Sequence, residues 1–178
     1  MSLTILIILL GELVVVGAVV VAAGVDVSRR IIPNETVLAV MVGGLAIRLV
    51  SPHEPSALWS LAAALVVLVL LGQLAHGGFM GGGDVKMISA LTLAEPLRDV
   101  LPLLLHIALA GGVVATFYLL LGLIRSRHAA VPAQSARAAR AAVVFEGSVP
   151  YGVSILLGLV SLHVGKVIQC SDANYCWL

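Results

Sequence analysis

Residues 3–25 read LTILIILLGELVVVGAVVVAAGV, an apolar run in which Glu12 is the one charge. At a rise of 1.5 Å per residue, about 20 residues of helix cross a hydrocarbon core of roughly 30 Å. The stretch therefore predicts a membrane-spanning helix. A cleaved signal peptide fits less well, because no basic segment precedes the run and the run exceeds the usual 7–15 residues. The rest of the chain agrees. Of its 178 residues, 61% are hydrophobic and 11% charged, and the mean hydropathy is +1.14. A soluble domain carries about a quarter charged residues to wet its surface. This composition excludes a cytosolic enzyme, a nucleic-acid-binding module and a disulfide scaffold. A net charge of +1 gives no reason to expect a polyanionic partner.

Working outward, the same pattern recurs. After Arg29 and Arg30, Pro33-Asn34-Glu35 reads as a helix start with Asn34 as cap, and a rather short span over 36–50 follows, with Arg48 expected to snorkel outward. A third span covers 57–75 without a charge, and Trp59 near its start reads as an interfacial anchor. The glycine-rich stretch from Gly77 to Gly83 then breaks the hydropathy, and the fourth span, 85–95, is short: the ten or so residues from Val85 to Ala94 reach only about 15 Å as helix. Residues 100–124 and 147–168 complete the set, separated by a basic loop from Arg125 to Arg140. The expected fold is all-α, a polytopic integral membrane bundle of about six transmembrane helices, folded as a single membrane-embedded domain over residues 1–178.

Lys and Arg concentrate on the cytoplasmic side of membrane proteins. With six crossings and the N-terminus outside, Arg29, Arg30, Lys86, Arg125, Arg127, Arg137 and Arg140 fall inside, leaving Arg48, Arg98 and Lys166 near the outer ends. The tail is then outside, where Cys170 and Cys176 are free to form a disulfide in an oxidising compartment.

That orientation brings Asp26, at the end of span one, and Asp84, at the start of span four, to the same cytoplasmic edge. Two carboxylates a few ångströms apart cannot both ionise easily; they share a proton, and such a pair activates water and protonates a leaving amine. The competing reading pairs Asp26 with Arg30 at i+4 and Asp84 with Lys86 as ordinary interfacial ion pairs. Glu12 lies fourteen residues before Asp26, about 21 Å up the helix, too far to join them. It is expected to bond to another helix, perhaps to a histidine. His106 and His163 read as structural, since the histidines show no i, i+4 pair of the zinc-protease kind. No serine-protease string is present.

Asp84 belongs to a Gly-x-Gly-Asp-x-Lys string (Gly81, Gly83, Asp84, Lys86), and Asp26 opens an Asp-x-x-x-Arg-x-x-Pro-Asn string (Asp26, Arg30, Pro33, Asn34). Together with Val149-Pro150-Tyr151-Gly152 at the start of the last span, these strings resemble those of the type IV prepilin peptidases, membrane aspartic proteases of the Gly-x-Gly-Asp type. In size the chain is similar to the branch serving Tad pili. The resemblance implies that Asp26 and Asp84 form the catalytic pair, with Arg30, Pro33, Asn34, Gly81, Gly83 and Lys86 positioning substrate or carboxylates. It implies an aspartic endopeptidase of the bacterial inner membrane, working at the cytoplasmic face among membrane lipids on a prepilin or pseudopilin precursor, from which it removes a short basic leader. Larger members carry a cytoplasmic insert with paired Cys-x-x-Cys strings and also methylate the new N-terminus. This chain lacks those strings, so zinc is excluded and N-methyltransferase activity does not follow. No metal or other cofactor is expected. An inactive accessory protein of pilus assembly and a small proton or cation transporter using Asp26 and Asp84 are the alternatives.

Overall fold

Runs of Leu, Val, Ile and Ala this long leave the backbone one economical way to satisfy its N–H and C=O groups away from water, which is helix. The computed structural model describes residues 3–51, 57–128 and 150–172. Among them lie six helices: α1 (Leu3–Arg29), α2 (Asn34–Val50), α3 (Ala57–His76), α4 (Gly82–Ala94), α5 (Leu97–His128) and α6 (Tyr151–Asp172). Four are long and apolar enough to cross a membrane: α1, α3, α5 over Leu97–Ile124 and α6 over Tyr151–Ile168. The protein is an all-α membrane bundle.

Helix α4 explains how a short apolar segment is accommodated. Thirteen residues make only about 20 Å of helix, less than a bilayer core. Yet every residue from Met87 to Ala94 is buried, so α4 is sheathed by protein. It packs closely against α2 and α3 and touches α5 and α6 lightly, while α1 joins α2 to α6 and α6 joins α5. The remaining helices thus form a ring around α4. Glycines set the closest approaches. A methyl group on Gly44 would lie 2.7 Å from the Ala94 backbone, and one on Gly158 2.6 Å from that of Ile107. Without lipid-excluding hydrophobic force between helices, such close backbone packing is what holds them together.

Several expectations need correction. Helix α1 runs past residue 25 to Arg29, so Asp26 sits inside its last turn. Asn34 is not a cap: Pro33 occupies the cap position in extended backbone, with no capping side chain. The Thr36 hydroxyl instead donates to the Pro33 carbonyl at 2.7 Å. Arg48 does not snorkel; it is buried on the face of α2 that carries Gly44 and Ile47. Trp59 is exposed in the first turn of α3, as an interfacial anchor requires. The basic loop beyond His128, residues 147–149 of the last expected span, and the Cys170–Cys176 pairing lie outside the described residues and side chains.

Candidate active site at three helix ends

The chain leaves α1 through Arg30, which has φ 56. This left-handed turn closes with the Arg30 N–H donating to the Asp26 carbonyl at 2.9 Å. It leaves Asp26 one turn from the helix end, buried at 6% exposure. Asp84 lies in the first turn of α4, buried at 8%. The third contributor is the start of α6, where the Gly152 N–H donates to Asp26 Oδ2 at 2.8 Å. Three helix ends, distant in sequence, thus converge at one end of the bundle. The Asp84 carboxyl is near enough to Asp26 to feel its charge.

Space is tight at two of these positions. A Cβ on Gly81 would stand 2.7 Å from Asp84 Oδ2, because the carboxyl folds back over the backbone preceding its helix. A Cβ on Gly152 would stand 3.0 Å from the Asp26 Cβ, 3.1 Å from its Oδ2 and 3.2 Å from the Ala23 Cα. A Cβ on Gly83 would stand 3.1 Å from the Ile32 Cβ, so the α1–α2 turn lies against the start of α4.

The interfacial ion pairs that competed with the dyad do not form. The Arg30 guanidinium lies over the Tyr118 ring, 5.8 Å from its centroid, because the left-handed turn swings the side chain off the Asp26 face. Lys86 is two residues from Asp84 and so points about 200° away around the helix. Its Nζ donates to Asn34 Oδ1 at 3.5 Å. Among the described residues, no Lys or Arg forms an ion pair with Asp26 or Asp84. Of the residues singled out by sequence, Asp26, Asp84, Gly81 and Gly83 line one locus. Pro33, Asn34 and Lys86 form a neighbouring one, and Arg30 turns toward α5. The role of Gly152 as a backbone donor to Asp26 was missed. Its position in the Pro-Tyr-Gly string was the available signal, but a string does not say which carboxylate its N–H meets.

Glu12 behaves as expected. Its Oε2 lies 3.6 Å from His163 Nε2 on α6, and His163 is also 3.7 Å from Glu95. Lys166 contacts Glu95 and Asp99 at 2.8 Å each. His106 Nδ1 meets the Pro102 carbonyl at 2.7 Å, a structural contact within α5.

Fold and site together define a helical membrane protein that gathers two buried, uncompensated carboxyls at one end of its bundle, an arrangement suited to acid–base chemistry on a peptide. The chain belongs to the type IV leader peptidase family, Peptidase_A24, whose model matches residues 13–120, a range that includes both Asp26 and Asp84. It is similar to the prepilin leader peptidase/N-methyltransferase of Xanthomonas campestris pv. campestris (strain ATCC 33913), 29% identical over 115 residues, which are 61% of this chain and 40% of that protein. The chain thus matches well under half the length of that curated relative. No solved structure matches it.

Proposed function

We propose that this protein is a membrane-embedded aspartic endopeptidase that removes the short leader of prepilin-like precursors, with Asp26 and Asp84 as its catalytic pair. The observation that carries the reading is the meeting of two buried carboxyls that have no cationic partner among the described residues. A buried carboxylate without a cation is costly, and the cost is useful where the pair must exchange a proton. In the reaction, the ionised member takes a proton from a water as that water attacks the scissile carbonyl. The protonated member hydrogen-bonds the carbonyl oxygen and then supplies a proton to the leaving amine. The Gly152 N–H fixes one oxygen of Asp26, leaving the other for water or substrate.

The site lies at the cytoplasmic face of the inner membrane, with the N-terminus outside and six crossings, the arrangement favoured by the Lys and Arg distribution. Prepilins of the Tad type are the favoured substrates, on the likeness of size. The proposal concerns peptide cleavage alone; methylation is not part of it. The transporter reading gains no support from the hydroxyls along α4. Between Asp84 and Glu95 on α4, the hydroxyls of Ser89 and Thr92 donate to their own helix, at Val85 O and Ile88 O.

The test is co-expression with a candidate prepilin, reading leader removal as a gel shift. Wild-type protein gives the shift, and Asp26→Asn and Asp84→Asn each abolish it. Substantial cleavage by either variant sinks the dyad, and no shift in any form favours the accessory or transporter readings.

A further inference from the structure

The ring around α4 has a gap. Helices α2 and α3 each pack closely on α4 but scarcely on one another, and between them lies a cleft of about 190 Å³. Met41 on α2 and Leu61 and Leu65 on α3 form its walls, and Lys86, Ala90 and Leu93 of α4 contribute its floor. Those wall residues are exposed on the flank of the bundle that meets lipid. From Lys86 to Leu93 the cleft descends about 10 Å along α4, starting at the level of Asp84. Ser89 also lines it, but its hydroxyl donates to the Val85 carbonyl, so below Lys86 the surface is apolar.

We propose that this cleft seats one face of the substrate's own apolar membrane segment, immediately beyond the bond to be cut. The inference rests on the peptidase reading and adds where the substrate lies. Three observations select a peptide helix as occupant. First, the floor of the cleft is the helix that carries Asp84, so a segment lying there is held in fixed register to a catalytic carboxyl on the far side of that helix. Second, a route leads from one to the other. Asp84 and Lys86 face opposite sides of α4, and the path around its N-terminus runs over the exposed Gly81 and Gly82. A Cβ on Gly82 would meet nothing within 4 Å, so extended backbone has room to pass there. Third, Lys86 stands at the cytoplasmic mouth. Its ammonium repels a basic leader and leaves the apolar segment as the part that enters, which fixes the direction of the chain. The volume suits side chains from one helix face, with the rest of that helix remaining in lipid.

Two synthetic peptides test this in detergent. One has a basic leader, a glycine before the scissile bond and an apolar segment of about 20 residues; the other ends four residues past the scissile bond. Wild-type protein is expected to prefer the long peptide by about tenfold or more in kcat/KM, mostly through KM. Ala64→Phe, which fills the cleft from α3, brings the ratio of the two peptides close to unity. An equal fall for both peptides, or a ratio that does not change, overturns the proposal. As a measurement independent of that variant's folding, p-benzoylphenylalanine at Leu65 in the Asp84→Asn background should crosslink to the apolar part of the long peptide on illumination. Crosslinking to phospholipid alone while the peptide is saturating assigns the cleft to lipid and also overturns it. Cleavage of neither peptide by wild-type protein is the distinct outcome in which the peptidase reading itself fails.

Discussion

The protein buries acidic side chains in two places and treats them oppositely. At one end, Asp26 and Asp84 face each other with a backbone N–H and no described cation. Toward the other, Glu95 and Asp99 share Lys166 at 2.8 Å, and His163 lies within 4 Å of both Glu12 and Glu95. A buried carboxylate compensated by a cation is held in one ionisation state and ties helices together. One left uncompensated is free to exchange a proton. The second cluster binds α1, the α4–α5 junction and α6 into one unit. The first exploits that rigidity, because α4 carries Asp84 and α6 carries the N–H that holds Asp26. On the proposed reading, chemistry and architecture are separable by asking which acids have a cation.

The sharpest way to break this division is to neutralise each cluster. Asp26→Asn and Asp84→Asn are near-isosteric and remove charge from a site with no ion pair to lose. Each should lower leader cleavage by at least about 10³-fold, and the double variant should be little worse than either single one, since the two act as a unit. Thermal unfolding in detergent should stay close to wild type. A large drop in stability without loss of cleavage would reverse the assignment.

Lys166→Met is the converse. It removes the cation shared by Glu95 and Asp99, of which Glu95 is the more deeply buried. Leaving buried carboxylates unpaired costs roughly 3 kcal/mol, reduced here by the one-third exposure of the Lys166 side chain. Denaturant or thermal unfolding should show the loss, while kcat of the folded fraction is retained. Glu95→Gln should cost less, about 1.5 kcal/mol, the lower end for a hydrogen bond to a charged group, because Asp99 still holds Lys166.

The sequence made the first cluster legible and, apart from the expected approach of Glu12 to a histidine, hid the second. Hydropathy located the helices to within a few residues, and the short fourth segment was visible as a break in the pattern. The two aspartates stood out because each sits at the edge of an apolar run inside a recognisable string. Glu95, Asp99, His163 and Lys166 carry no such string. Their meeting depends on α6 returning alongside α4 and α5, which no local pattern encodes. The same holds for Arg30 and Lys86. Their spacing from the aspartates suggested ion pairs, but the left-handed turn at Arg30 and the helical phase of Lys86 send both elsewhere. Asn34 looked like a cap because residue type was the only information; in the structure, its backbone is already helical.

Two glycines six residues apart on α6 sharpen the comparison further. A methyl group on Gly152 meets Asp26 and the Ala23 backbone, whereas the three atoms nearest one on Gly158 all belong to Ile107, two of them backbone. Neither neighbour yields easily, so both alanine variants should lose about 1–3 kcal/mol by overpacking. Only Gly152→Ala should also shift the Asp26 carboxyl, lowering kcat by roughly tenfold beyond its effect on folding, in line with the sensitivity of catalysis to small displacements. Equal effects on kcat would deny Gly152 its role in placing Asp26.

Gly81→Ala has the smallest expected effect on stability, and for that reason isolates placement of the second carboxyl. The added Cβ would stand 2.7 Å from Asp84 Oδ2, but the next atom within reach, Asp84 Cγ, is 3.6 Å away. The clash is therefore with the free end of a side chain that can rotate. Gly81 has φ −72 and ψ 142, a backbone conformation open to alanine, so no strain arises from the chain itself. Stability should change by less than about 0.5 kcal/mol, as for a substitution away from core packing. Rotating the Asp84 carboxyl away from Asp26 nevertheless weakens their mutual charge effect, so cleavage should fall several-fold and the acidic limb of its pH profile should move. A variant that folds as wild type yet keeps both the rate and the profile would show that the close approach of Asp84 to the glycine backbone serves only to start helix α4.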